Sequence, residues 1–130
     1  MRKPRNQWLA IPVMMLLLLV VSAETASAAD YRPLIGRWQR TDGGYVIDIR
    51  RVSPDGSMQA GYFNPRPINV ARARASLVKD YLKVEMELRD TGYPGSSYTL
   101  LYDPHKDALI GLYYQALQRQ EFDVVFVRMK

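Results

Sequence analysis

The stretch Tyr81-Leu82-Lys83-Val84-Glu85-Met86-Glu87-Leu88-Arg89 alternates apolar and charged residues after its first tyrosine. Side chains of a strand point alternately to its two faces, so Leu82, Val84, Met86 and Leu88 share one face while Lys83, Glu85 and Glu87 share the other. An antiparallel sheet with one buried and one wet side accounts for that rhythm. Read outward, the same period recurs. Upstream, the Lys79-Asp80 turn leads back to 68–78, where alanine alternates with arginine. Ala, Arg and Leu favour helix, but the period of two continues through 71–79 and reads as strand. Downstream, a loop over 90–96 containing Gly and Pro leads to 97–103. Further alternating segments cover 34–41, 45–50, 57–63, 107–115 and 121–128.

This gives eight strands. Their connections are turn chemistry: Asp42-Gly43-Gly44, Ser53-Pro54-Asp55-Gly56, Asn64-Pro65-Arg66-Pro67 and Pro104-His105-Lys106. Short connections make consecutive strands antiparallel neighbours. Eight strands in a meander remove their exposed edges by closing. The expected fold is all-β, an eight-stranded antiparallel up-and-down barrel over 29–130.

Residues 1–28 are read separately. Arg2, Lys3 and Arg5 form a basic start, 9–21 is an apolar run interrupted by Pro12, and Ala26-Ser27-Ala28 offers small residues to a signal peptidase. A transmembrane helix needs about 20 apolar residues. The segment therefore reads as a cleavable signal peptide, giving a periplasmic or secreted protein that meets a membrane only before cleavage. The sequence has no cysteine. Disulfides, thiolate metal sites, thiol nucleophiles and a lipid-bearing cysteine are excluded. Setting aside Arg2, Lys3, Arg5 and Glu24 leaves 15 Lys and Arg against 12 Asp and Glu, a net +3. Both signs are interspersed, which is a solvated surface and not a nucleic-acid footprint.

Gly36-x-Trp38 opens the first strand and Arg128 closes the last. In these residues the chain resembles the calycin group, the lipocalin-like and avidin-like barrels. Those families share a Gly-x-Trp on the first strand and often cover the Trp with an Arg from the last. The resemblance implies that Gly36, Trp38 and Arg128 close the barrel structurally. The stretch from Gly36 to Tyr62 is most similar to avidin. The positions corresponding to avidin's Asn and Ser near the first turn look like Arg40 and Gly44. Trp38 is the only tryptophan after residue 28. Biotin is therefore not the expected ligand.

Up-and-down topology sorts the loops onto two ends. The end with the longer loops, at 41–44, 64–67, 90–96 and 116–120, is the expected mouth. If Trp38, Ile47, Val84, Leu100 and Phe126 point inward, so do Arg40, Asn64, Asn69, Asp90, Ser96, Tyr98, Tyr113 and Gln115 near that mouth, with Tyr45 and Tyr62. Apolar walls under convergent polar groups suit a small-molecule site. The same residues also suit a packed polar plug, with Arg40 paired to Asp90 and Asn64 and Gln115 capping loop backbone.

On the opposite parity, Leu101, Ile110, Leu112, Tyr114, Val125 and Val127 form an outer apolar strip. Such a strip is expected at a homo-oligomer interface. Inverting the parity of 107–115 would bury Ile110, Leu112 and Tyr114 and expel Tyr113 and Gln115. His105 is the only histidine and sits in a turn at the far end, and Glu85 and Glu87 lie on a wet face. No catalytic, metal or cofactor constellation is expected. The function expected is non-catalytic binding of a small molecule, or else of a protein by a module with a filled barrel.

Overall fold

The alternation at 81–89 is realised directly. Val84, Met86 and Leu88 are buried, Leu82 is half-buried and Arg89 is exposed. The computed structural model describes residues 28–130, so the signal-peptide reading over 1–28 lies outside the described residues except at residue 28. After a short 3-10 turn at Arg32–Leu34, the strands are β1 (Gly36–Arg40), β2 (Val46–Val52), β3 (Met58–Phe63), β4 (Pro67–Ile68) and β5 (Val70–Val78). The rest are β6 (Tyr81–Asp90), β7 (Tyr93–Asp103), β8 (Ala108–Gln115) and β9 (Gln120–Arg128). All pairings are antiparallel, in the order β4-β3-β2-β1-β9-β8-β7-β6-β5. The result is an up-and-down, nearly closed barrel of nine strands, not eight.

The extra strand comes from a break at Asn69. Of the expected strand over 68–78 only Ile68, with Pro67 just before it, pairs with β3, and the chain then crosses to β6. At the crossing the Asn69 amide donates to Asp90 Oδ2 (2.8 Å), its carbonyl accepts from the Arg89 amide (3.0 Å), and its Nδ2 donates to the Arg89 carbonyl (3.2 Å). A carboxylate thus replaces a neighbouring strand as acceptor, and a bulge at Ala71 follows.

Two seams make the barrel. At the first, Trp38 pairs with Arg128 and Arg40 with Phe126. The Arg128 guanidinium lies 4.2 Å from the Trp38 ring, donates to the Pro33 and Ile35 carbonyls (2.6 and 2.7 Å), and is held by Asp107 (2.8 Å). Trp38 Nε1 donates to the Leu34 carbonyl at 2.9 Å. Gly36 has φ +142°, and a Cβ there would lie 2.6 Å from Arg128 Nη1. The first strand therefore needs glycine so that the last arginine can cover the tryptophan. The second seam, between β3 and β5, is thin: a bridge of Ser57 with Arg74 and an Ala75 amide donating to the Gly56 carbonyl (2.7 Å).

The interior is filled. Trp38, Ile47, Tyr62, Tyr98, Leu100, Leu109 and Phe126 are each at most 1% exposed. Burying an aliphatic or aromatic side chain of this size contributes about 1.5–3 kcal/mol. Tyrosine and phenylalanine rings occupy the interior beneath the expected mouth, as the packed-plug reading requires. On β8, Leu109 and Tyr113 are buried while Leu112 and Tyr114 are exposed, which decides its parity. Ile110 stands between Leu101 and Val125 in the register, and Leu101, Leu112, Tyr114 and Val127 are each more than a third exposed. The outer apolar strip is therefore present as a surface.

Candidate functional site

The floor of the mouth is an aromatic and hydroxyl plug. Met86, Tyr98, Tyr113 and Phe122 form one row across β6, β7, β8 and β9. Tyr98 stacks on Tyr113 with ring centroids 4.5 Å apart, and Phe126 meets Tyr98 edge-on at 5.3 Å. The Tyr62 and Tyr98 hydroxyls are 2.8 Å apart, and Arg40 Nη1 donates to Tyr98 Oη at 3.0 Å. Burial pushes Tyr98 up to about 12 and Tyr62 well above the phenol range. Both hydroxyls therefore stay protonated at neutral pH.

Arg40, at the end of β1, is the only charged side chain buried in the barrel among the described residues. Its Nε and Nη2 donate to Asp42 Oδ1 and Oδ2 at 2.6 and 2.7 Å. Burial works against its charge, but the Asp42 and Tyr98 hydrogen bonds outweigh that effect and hold its pKa above the ordinary range. The same pairing holds the Asp42 carboxyl below its usual value. The guanidinium also lies 4.0 Å from the Tyr45 ring centre and 5.5 Å from that of Tyr113, a cation–π arrangement. Gly43 makes room for this: a Cβ there would stand 2.8 Å from Tyr45 Cε2.

Above the plug is a cup of about 530 Å³. It is lined by the buried or half-buried Arg40, Tyr45, Tyr93, Tyr113 and Gln115 and by the exposed Asp42, Gly92, Gln118 and Phe122 at its rim. Asn64 Nδ2 donates to the Tyr93 hydroxyl at 2.7 Å, and Gln115 Oε1 accepts from the Gln118 amide at 2.7 Å. Among the described residues no buried side-chain polar atom lacks a partner.

Of the residues expected at the mouth, Arg40, Tyr45, Tyr113 and Gln115 line the cup. Tyr62 and Tyr98 lie beneath it, sealed in the plug. Asn64 stands behind Tyr93. Ser96, on β7, is fully buried, and its Oγ accepts the Ala116 amide (3.1 Å), tying β7 to the β8–β9 loop; the loop expected over 90–96 shrinks to Thr91 and Gly92, because β6 runs to Asp90 and β7 starts at Tyr93. Asn69 and Asp90 are exposed, make the β4–β5 crossing, and do not line the cup. Asp90 also caps the Thr91 amide at 2.7 Å, and Arg40 takes Asp42 in its place.

Sequence reasoning missed Asp42, Gly92, Tyr93, Gln118 and Phe122. Phe122 was legible, since it shares the inward parity of Val124 and Phe126. Tyr93 was hidden by a bulge: Glu87 pairs with Ser97 but Arg89 with Pro94, so Leu88 faces both Gly95 and Ser96. The extra residue resets the parity and turns Tyr93 inward, and Gly95 at φ +91° was the available signal.

A second hollow, of about 570 Å³, lies at the opposite end beside Tyr81, Leu101, His105 and Ile110. It is slightly larger but adjoins the outer strip, without a buried polar group converging on it. Compared with known proteins, the chain matches no family model, no curated protein and no solved structure. The architecture is that of an all-β, nearly closed antiparallel barrel, compatible with a calycin-like fold.

Proposed function

We propose that this chain is an exported, non-catalytic binding protein of the bacterial envelope, a calycin-like barrel that holds a small molecule at its loop-lined mouth. The observation that carries this reading is the cup itself: about 530 Å³, with Tyr45, Tyr93, Tyr113 and Phe122 around a neutralised Arg40–Asp42 pair. Its volume falls within the roughly 300–1,000 Å³ of small-molecule sites. Binding would use the fixed floor of Arg40, Tyr45 and Tyr113 and the exposed side chains of the rim, with the barrel interior serving as support.

Native mass spectrometry of protein purified from its own source, set against its denatured mass, tests this. A small added mass that is lost from Phe122→Ala is the expected result. Identical masses, together with no response of cup amides to a fragment library, would refute it.

A second reading has its own observation. The filled interior and the outer strip of Leu101, Ile110, Leu112, Tyr114, Val125 and Val127 suit a protein-binding or self-associating module. A lower molecular mass in solution for Leu112→Glu than for the natural chain would favour it.

A further inference from the structure

We propose that the mouth cup recognises a neutral pyranose sugar, either a free oligosaccharide or the end of a glycan chain. This rests on reading the mouth as a binding site. The argument begins with charge. Among the described residues, Arg40 and Asp42 are the only oppositely charged side chains lining the cup, and they neutralise each other through two hydrogen bonds of 2.6 and 2.7 Å. A charged ligand would have to break that pair or sit beside it uncompensated, so the cup selects against ions.

The second step is hydrogen-bond capacity. The Tyr93 hydroxyl accepts from Asn64, so its proton remains free to donate. The Gln115 Oε1 is engaged by the loop backbone, which leaves its Nε2 as a donor. Both Asp42 oxygens retain acceptor capacity, and the exposed Gln118 offers a donor and an acceptor. Planar groups of this kind match adjacent hydroxyls, each of which donates and accepts. A hydrocarbon would strand them and a planar heterocycle would engage them only along an edge.

The third step is the apolar surface. Phe122, 42% exposed and stacked on Tyr113, offers a ring surface at the rim. A pyranose carries polar hydroxyls around its rim and C–H groups on its face, and so meets both demands at once. Asp42, Gly92, Gln118 and Phe122 are exposed, so the cup is open above and a bound unit could extend into a chain.

The test is amide NMR of the isotope-labelled protein titrated with cellotriose, maltotriose and tri-N-acetylchitotriose, with adenine and acetate as comparisons. The expected result is a saturable shift of amides at 42–45, 92–93 and 113–122 with at least one trisaccharide. Phe122→Ala, at an exposed site that leaves the core intact, should weaken it about tenfold or more, the equivalent of about 1.4 kcal/mol. Gln118→Ala, also exposed, should weaken it less. Co-sedimentation with insoluble cellulose, chitin or cell-wall sacculi separates the sources: pelleting, with or without a trisaccharide response, assigns a glycan chain, and a trisaccharide response without pelleting assigns free oligosaccharide. Shifts with adenine or acetate but none with sugars or glycans would overturn the sugar and leave the cup as a site for another class. Silence of the cup to sugars, glycans, adenine, acetate and the fragment library would overturn both readings.

Discussion

Replacing Tyr98 with phenylalanine removes one oxygen from the centre of the plug and disturbs two partners. Arg40 Nη1 loses an acceptor at 3.0 Å, and the Tyr62 hydroxyl, 1% exposed as a residue, loses its partner at 2.8 Å. A hydrogen bond to a charged group contributes about 1.5–3 kcal/mol, and an orphaned buried hydroxyl costs about 1–3 kcal/mol. Arg40 keeps its carboxylate, so the expected loss lies near the lower end of the sum, about 3 kcal/mol. Tyr62→Phe leaves Tyr98 bonded to Arg40 and should cost only about 0.5–1.5 kcal/mol. Urea unfolding followed by Trp38 fluorescence reads both. With a urea slope of about 1–3 kcal/mol/M, Tyr98→Phe moves the midpoint down by about 1–3 M. The double variant should cost no more than Tyr98→Phe alone, because it also removes the orphaned hydroxyl. A Tyr98→Phe loss below about 0.5 kcal/mol, or a Tyr62→Phe loss as large as it, would refute the hydrogen-bonded plug.

Stability should fall at alkaline pH. Burial holds Tyr98 at about 12 and raises Tyr62 and Tyr113 above the ordinary 10.0. The unfolded chain therefore releases protons that the fold retains: the contribution is complete below pH 10 and declines as pH rises toward 12, and urea midpoints between pH 8 and 12 check it. Gly36→Ala places a Cβ 2.6 Å from Arg128 Nη1 and should displace the guanidinium from Trp38. The loss of its cation–π contact, about 0.5–2 kcal/mol, should lower the melting temperature and change Trp38 fluorescence. Gly56→Ala places a Cβ 2.0 Å from the Ala75 carbonyl oxygen, at φ +91°. Hydrogen exchange of the Ala75 amide should accelerate while that of the Trp38–Arg128 seam does not.

Most of the barrel was legible because its determinant is local. Inward parity through Trp38, Ile47, Val84, Leu100 and Phe126 follows from a period of two, and every one of these side chains is buried. Where a third residue enters that period, the reading failed. The break at Asn69 divided one strand, the bulge at Gly95–Ser96 moved Tyr93 into the cup, and Asp90 is drawn to the Asn69 and Thr91 amides outside it. The partner of Arg40 was hidden differently. Asp42 lies in a turn, where parity has no meaning, and only the Asp-Gly-Gly bend brings its carboxylate back beside a residue two positions earlier.

The plug and the cup are one arrangement. Ordering a side chain on binding costs about 0.5–1.5 kcal/mol, so a site gains by having its groups fixed in advance. Arg40 is held by Asp42, Tyr98 and Tyr45, and Tyr113 is stacked on Tyr98, all before any ligand arrives. Gln118 and Phe122 are exposed at the rim and carry the remaining ordering cost. The buried floor should therefore add affinity common to all ligands, and the rim affinity that differs between them. A floor variant such as Tyr98→Phe should weaken every ligand of the cup in proportion, whereas rim variants at Gln118 and Phe122 should change their rank order. The reverse pattern would mean that the filled barrel supports the fold and leaves the mouth to act alone.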